Sequence, residues 1–150
     1  MDKFRKIAEA VRTVIWLLVE DENPGNVGEE LVRLGVDNTT DGFWIYFVET
    51  DAEWYSPKFR SVLGFENEFD FPNIPESWQR QIVPEYLPDT LKKFGLFLSD
   101  PDKNSYVEEV EYYKKDGSIV RLFCEGHIAK YKDGKPNIVL GTHTMVNTTI

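Results

Sequence analysis

Two Asp-Gly pairs, each set between apolar runs, constrain this chain more than any other feature. Asp116-Gly117 separates residues 105–113 from 118–131, and Asp133-Gly134 separates 118–131 from 136–148. Asp-Gly between alternating apolar runs is a strong hairpin signal, because both turn positions tolerate positive φ. Two consecutive hairpins make an antiparallel meander. Upstream, residues 43–50 are β-branched and aromatic and read as a strand, apolar on both faces and so covered on both. Asp51-Ala52 turns the chain, and residues 53–56 supply a short returning strand. The order is two strands, helices, then three strands. That is an α+β plan: a five-stranded antiparallel sheet with helices on one face.

The helices follow from period and punctuation. Pro57 suits the first turn of a helix over 57–63, ended by Gly64. Ser77 caps a short helix carrying Trp78 and Ile82. Leu91, Phe94 and Leu98 set the apolar stripe of a helix over 89–98. At the N-terminus, Phe4, Ile7, Val11, Val14 and Leu18 recur at spacings of three and four, and Ile15 widens the stripe. They predict an amphipathic helix over 2–20, which either packs on its own domain or pairs two copies into a homodimer. Residues 21–28 read as a breaker with a turn at Pro24-Gly25, and 29–34 as a short helix before Gly35. Residues 37–41 are a polar lead-in to the first strand. The domain plan is 1–37 for helix and connector and 38–150 for the main domain.

Composition removes several functions. The 150 residues carry 17 Lys+Arg against 26 Asp+Glu, a net charge of −9, so a phosphate backbone would be repelled and no nucleic acid is expected. One cysteine excludes a disulfide framework and a multi-thiolate zinc site, and with two histidines a His-rich metal site is not expected. No run approaches the ~18 apolar residues of a membrane span. Glu9 and Arg12 interrupt any signal-peptide core, so a cytoplasmic setting is the expectation. No phosphate-binding loop, nucleophile elbow or HExxH occurs. Cys124 and His127, three apart, fall on opposite strand faces, poor geometry for a nucleophile and its base. Glu108, Glu109 and Glu111 read as a solvated sheet face that discourages edge pairing.

From about Thr39 to Thr149 the chain resembles a PAS domain with its PAC motif. Gly42-Phe43-Trp44 opens the first strand, and Thr50-Asp51 ends it. Trp54-Tyr55-Ser56-Pro57 resembles the family's "WSP" junction, and Val62-Leu63-Gly64-Phe65 its "LLGY" helix end. Trp78 with Ile82-Val83-Pro84-Glu85 resembles "W…IHPDD", and residues 112–118 resemble "RRKDGS". Gly134-Lys135-Pro136 and Gly141-Thr142-His143-Thr144 resemble "DGKP…GTHTDIT". Val83 stands where the family often has His, and Met145-Val146-Asn147 replaces Asp-Ile-Thr.

The resemblance implies a non-catalytic sensory input domain for signal transduction, of the two-component or diguanylate-cyclase kind. It would bind a small ligand or partner and regulate an attached or associated output domain, such as a histidine kinase or diguanylate cyclase. The alternative is a ligand-free protein–protein interaction or dimerisation module. A small enzyme or lipid-carrier-like α+β fold is a third reading. No cofactor is assigned. The cysteine-adduct flavin branch needs a GxNCRFLQ-like helix, which is missing, and Cys124 falls on a strand. A haem-binding relative supplies a helical His, and residues 89–99 hold none.

With Thr50 placed inward by the resemblance, alternation turns Val48, Tyr46 and Trp44 to the same face. Counting from the Gly117 turn adds Tyr106, Glu108, Val110, Tyr112, Val120, Leu122 and Cys124. The last strand adds Val139, Gly141, His143 and Met145. The expected ligand-facing residues are Trp44, Tyr46, Val48, Thr50, Val110, Tyr112, Leu122, Cys124 and His143. Glu108 would stand at the rim or face a cationic or amide partner, since burial without one is costly.

Overall fold

The computed structural model describes residues 5, 8, 23–100, 102 and 105–146. Apart from Arg5 and Ala8, which are helical, the predicted N-terminal helix lies outside the described residues, and so do Phe4, Ile7, Val11, Val14, Ile15 and Leu18. The chain forms helix α1 (Pro24–Arg33), strands β1 (Phe43–Phe47) and β2 (Ala52–Tyr55), helices α2 (Pro57–Val62), α3 (Pro75–Gln81) and α4 (Leu87–Ser99), and strands β3 (Ser105–Tyr113), β4 (Ile119–Lys132) and β5 (Lys135–Met145). The sheet is antiparallel in the order β2-β1-β5-β4-β3.

The three final strands lie side by side as the two Asp-Gly pairs predict. Asp133 and Gly134 both take positive φ, 52° and 77°, in a two-residue turn closed by the Lys132–Lys135 pair. The other turn is longer. Residues 114–118 loop out, only Gly117 has positive φ, and the Asp116 carboxylate accepts from the Ser118 backbone N–H at 2.9 Å.

Alternation then builds two cores, one on each face. On the inner face Trp44, Tyr55, Tyr106, Val110, Tyr112, Leu122, Cys124 and Val139 pack with Phe59, Leu63, Phe71 and Phe97 of α2, α4 and the connecting loop. On the other face Phe43, Ile45, Phe47, Trp54, Ile138 and Leu140 receive Val27 and Leu31 of α1. The β1 strand is therefore covered on both sides, as its uninterrupted apolar sequence requires. The β3 edge is closed by the segment after α3: Ile82 bridges Tyr112, and the Val83 N–H donates to the Glu111 carbonyl at 2.9 Å.

Several local expectations are corrected. Pro24-Gly25 is not a turn but the start of α1. Asn23 caps it, accepting from the Gly25 N–H at 2.9 Å, and Pro24 occupies the first turn, where no N–H is needed. The polar lead-in contains a short 3-10 turn, Val36–Asn38. The β1 strand stops at Phe47, three residues early. Pairing with β5 ends there, and Asp51, at φ 53°, reverses the chain into β2. Thr50 is therefore exposed in the turn. Ser77 sits inside α3, not at its cap, with its hydroxyl donating to the Pro72 carbonyl at 2.6 Å. Helix α4 begins at Leu87 and buries Thr90 and Phe97, while Leu91 is left 45% exposed. Met145, the last residue of β5, is exposed.

Candidate functional site

The inner sheet face and the helices form a partly open cavity of about 240 Å³. Strands β1 and β2 present Trp44, Tyr46, Glu53 and Tyr55 to it. β3 presents Tyr106, Val110 and Tyr112, and β4 and β5 present Cys124 and His143. Phe59, Pro75, Trp78, Gln79, Thr90, Leu91 and Phe94 come from the helices, and Asp51 from the β1–β2 turn. Strand pairing produces this convergence. Tyr46 stands opposite Glu53, Trp44 opposite both Tyr55 and Gly141, and Cys124 opposite His143. The bulges in β4 fall after Ile128, beyond these pairs, so the inward phase holds through the site.

Of the nine residues expected to face a ligand, Trp44, Tyr46, Val110, Tyr112, Cys124 and His143 line the cavity. Leu122 is fully buried behind it, in the core, and Val48 is half-buried at the strand end. Thr50 points to solvent. The helical walls and Glu53 lie outside that expected set. Glu53 follows from simple alternation with Tyr55, but a charge on a short edge strand reads as solvent-facing.

The walls are aromatic and interlocked. The Phe94 ring meets Trp44, Tyr46 and Tyr106 edge-on, with centroids 6.0, 5.7 and 5.5 Å away. Phe59 stacks on His143 at 4.3 Å. Such contacts hold α2 and α4 to the sheet, so anything that moves these rings moves the helices.

The buried polar groups show different solutions to burial. His143 Nδ1 lies 3.0 Å from Cys124 Sγ. Burial drives the imidazole down to about 3 and pushes the thiol up. The pair is thus neutral, opposite to the thiolate–imidazolium state that nucleophilic catalysis uses. Glu108 is buried, not at the rim. It accepts from the Thr90 hydroxyl at 2.9 Å and from the Tyr106 hydroxyl, with Lys93 Nζ 3.8 Å away, and so ties α4 to β3. Its neighbours Glu109 and Glu111 face the opposite side and meet Arg121, so the acidic run splits across the sheet. Glu53 is 6% exposed, and burial raises its carboxyl to about 8, reinforced by the negative charges of Asp51 and Glu76.

The comparisons with known proteins agree with this architecture. Residues 53–143, more than half of the chain, match the family model described as PAS fold. Among solved structures, a sensory box histidine kinase/response regulator from Burkholderia thailandensis is similar at 21% identity. The match has a TM-score of 0.60 and covers 77% of this chain and 83% of that one. The N-terminal domain of a Marinobacter aquaeolei diguanylate cyclase with PAS/PAC sensor aligns at 17% identity and TM-score 0.59, covering 69% and 93%. A Drosophila melanogaster Cycle PAS-B variant with bound glycerol aligns at 12% identity and TM-score 0.55, covering 70% and 99%. Among curated proteins none matches this chain.

Proposed function

The chain belongs to the PAS-fold family, and from that membership we propose that it is a sensory input module in which occupancy of the inner cavity by a small ligand regulates an attached or associated output domain. The carrying observation is the cavity itself: aromatic walls, few polar groups, and lining residues drawn from the five strands and from three helices. A pocket of this make-up suits a small, partly apolar ligand. At about 240 Å³ it is below the roughly 300–1,000 Å³ of drug-sized sites, so the ligand is fragment-sized. The Cycle PAS-B variant with bound glycerol supports a small occupant in this fold.

The mechanism is a population shift. A ligand moves the equilibrium only through its different affinity for two packings of α3 and α4 on the sheet. Kinase and cyclase relatives support an output domain of that kind. The N-terminal stripe supports a homodimer, through Phe4, Ile7, Val11, Val14, Ile15 and Leu18. No described helix is long and apolar enough to cross a membrane.

A thermal-shift screen against small metabolites tests the reading. A ligand at a hundred times its Kd is expected to raise Tm by roughly 5–10 °C. Leu91, half-exposed at the cavity wall, offers a way to block the site without disturbing the core. Leu91→Trp is expected to keep the fold and weaken any hit at least ~10-fold, by steric exclusion. Hits that bind Leu91→Trp as well as the parent would overturn the assignment.

A second reading, a ligand-free interaction module, has one observation in its favour. Val107, Tyr113 and Ile119 are exposed on the outer face of β3 and β4, beyond the reach of α1. Glu109, Glu111, Arg121 and Glu125 interrupt that patch, which makes it a weaker docking surface than a continuous apolar one.

A further inference from the structure

Two carboxyl groups are buried on the inner side of the sheet, and they are treated differently. Glu108 has two hydroxyl donors and a lysine. That is how a structural acid is accommodated: its charge and lone pairs are met from within the protein. Glu53 has two donors, Tyr55 and Trp78, but no counterpart of that lysine. Among the described residues no cation pairs with it, and the charges that act on it, Asp51 and Glu76, are acidic. Hydrogen bonding from Tyr55 and Trp78 offsets part of the burial cost, but the Tyr55 hydroxyl is shared with the Ile74 carbonyl, to which it donates at 2.7 Å. The Glu53 side chain projects into the cavity beside Tyr46.

The surroundings carry the same signature. The lining contains Asp51 and Glu53 but no lysine or arginine. Trp44, Tyr46, Trp78 and Phe94 supply ring faces and edges around the acid. A carboxylate among aromatic rings recognises an organic ammonium ion, by a charge-assisted hydrogen bond at one end and ring contacts along the body. An anionic ligand would meet the Asp51 charge and no counter-charge.

We propose that the cavity takes a small organic ammonium ion with an aromatic or aliphatic body, anchored by the Glu53 carboxylate; this rests on the ligand-binding reading above and specifies its chemistry. Burial keeps the empty site's Glu53 largely protonated near neutral pH, so the cation takes the place of that proton and its binding releases one. Around Glu53 the titratable groups are Tyr46 from β1, Asp51 from the turn, Tyr55 from β2, Glu76 from α3 and Tyr112 from β3. Burial pushes the three tyrosines above their ordinary range, so they stay neutral.

The test is calorimetric titration of the full chain at neutral pH with phenethylammonium, phenethyl alcohol and hydrocinnamate, a cation, a neutral analogue and an anion of similar shape. Phenethylammonium is expected to bind at least ~10-fold tighter than the alcohol. Its heat should change with the ionisation enthalpy of the buffer, and hydrocinnamate should bind weakest. In Glu53→Gln the cation and the alcohol should become equal, with alcohol binding retained, and a thermal melt verifies folding. An alcohol that binds as tightly as the cation to the parent chain, or a preference that survives Glu53→Gln, overturns the charge assignment while leaving the cavity reading intact. Binding of none of the three overturns both.

Discussion

A Gly141→Ala substitution is expected to destabilise the chain by about 3 kcal/mol or more, a large effect for one methyl group. A Cβ at Gly141 would lie 2.0 Å from Cε2 and Cζ2 of the Trp44 indole. Neither partner can yield cheaply. Trp44 is buried, pinned edge-on by Phe94, and its backbone is paired directly with Gly141 in the β1–β5 ladder. Relief requires the indole to swing into the cavity, so the same change should weaken ligand binding. Gly95 in α4 is the control. A Cβ there meets nothing within 4 Å, and Gly95→Ala in a helix interior is expected to stabilise by roughly 0.5–1 kcal/mol. Urea unfolding of the two variants checks both. A Gly141→Ala chain within about 0.5 kcal/mol of the parent would show that the indole does not lie over β5.

The second large effect is on the pH dependence of stability. Glu53 is raised from 4.5 to about 8, chiefly by burial. Between those values the folded chain holds a proton that the unfolded chain has released. This stability is fully present below pH 4.5 and lost as pH rises through 8, on the order of 3–5 kcal/mol in all. His143 works in the opposite sense. Burial lowers it from 6.5 to about 3, so its contribution is intact above pH 6.5 and is lost as pH falls toward 3. The two slopes oppose each other between 4.5 and 6.5. The parent chain should therefore be nearly flat there and lose stability from 6.5 to 8. Glu53→Gln removes the alkaline limb, so it should be more stable than the parent at pH 8, with the gap closing toward pH 5. Urea midpoints across this range measure it. Parallel curves for the two proteins would show that Glu53 titrates in the fold as it does in water.

The strands were legible because the physics that forms them is local. Alternation through Tyr106, Val110, Tyr112, Cys124 and His143 names the inner face directly, and Asp133-Gly134 specifies its own turn. Strand ends were not. Whether Val48 and Thr50 continue β1 depends on where β5 stops pairing, which is a property of two segments together. Pro24-Gly25 can open a turn or a helix, and the Asn23 side chain decides for the helix. The helical half of the site was hidden for a further reason. Periodicity marks Leu91, Phe94 and Leu98 as apolar, but docking on the sheet determines that Thr90 and Phe97 are buried while Leu91 reaches the cavity from a half-exposed position.

On the proposed reading the inner face, and not the outer one, receives a small ligand, and the chain carries its own reporters. Trp44 and Trp78 line the cavity, whereas Trp54 is buried on the opposite face against α1. Indole N–H resonances followed by NMR during titration with phenethylammonium or phenethyl alcohol separate the faces in one spectrum. Trp44 and Trp78 are expected to shift while Trp54 stays in place. A shift confined to Trp54, or no shift under saturating amounts of both compounds, would contradict that reading.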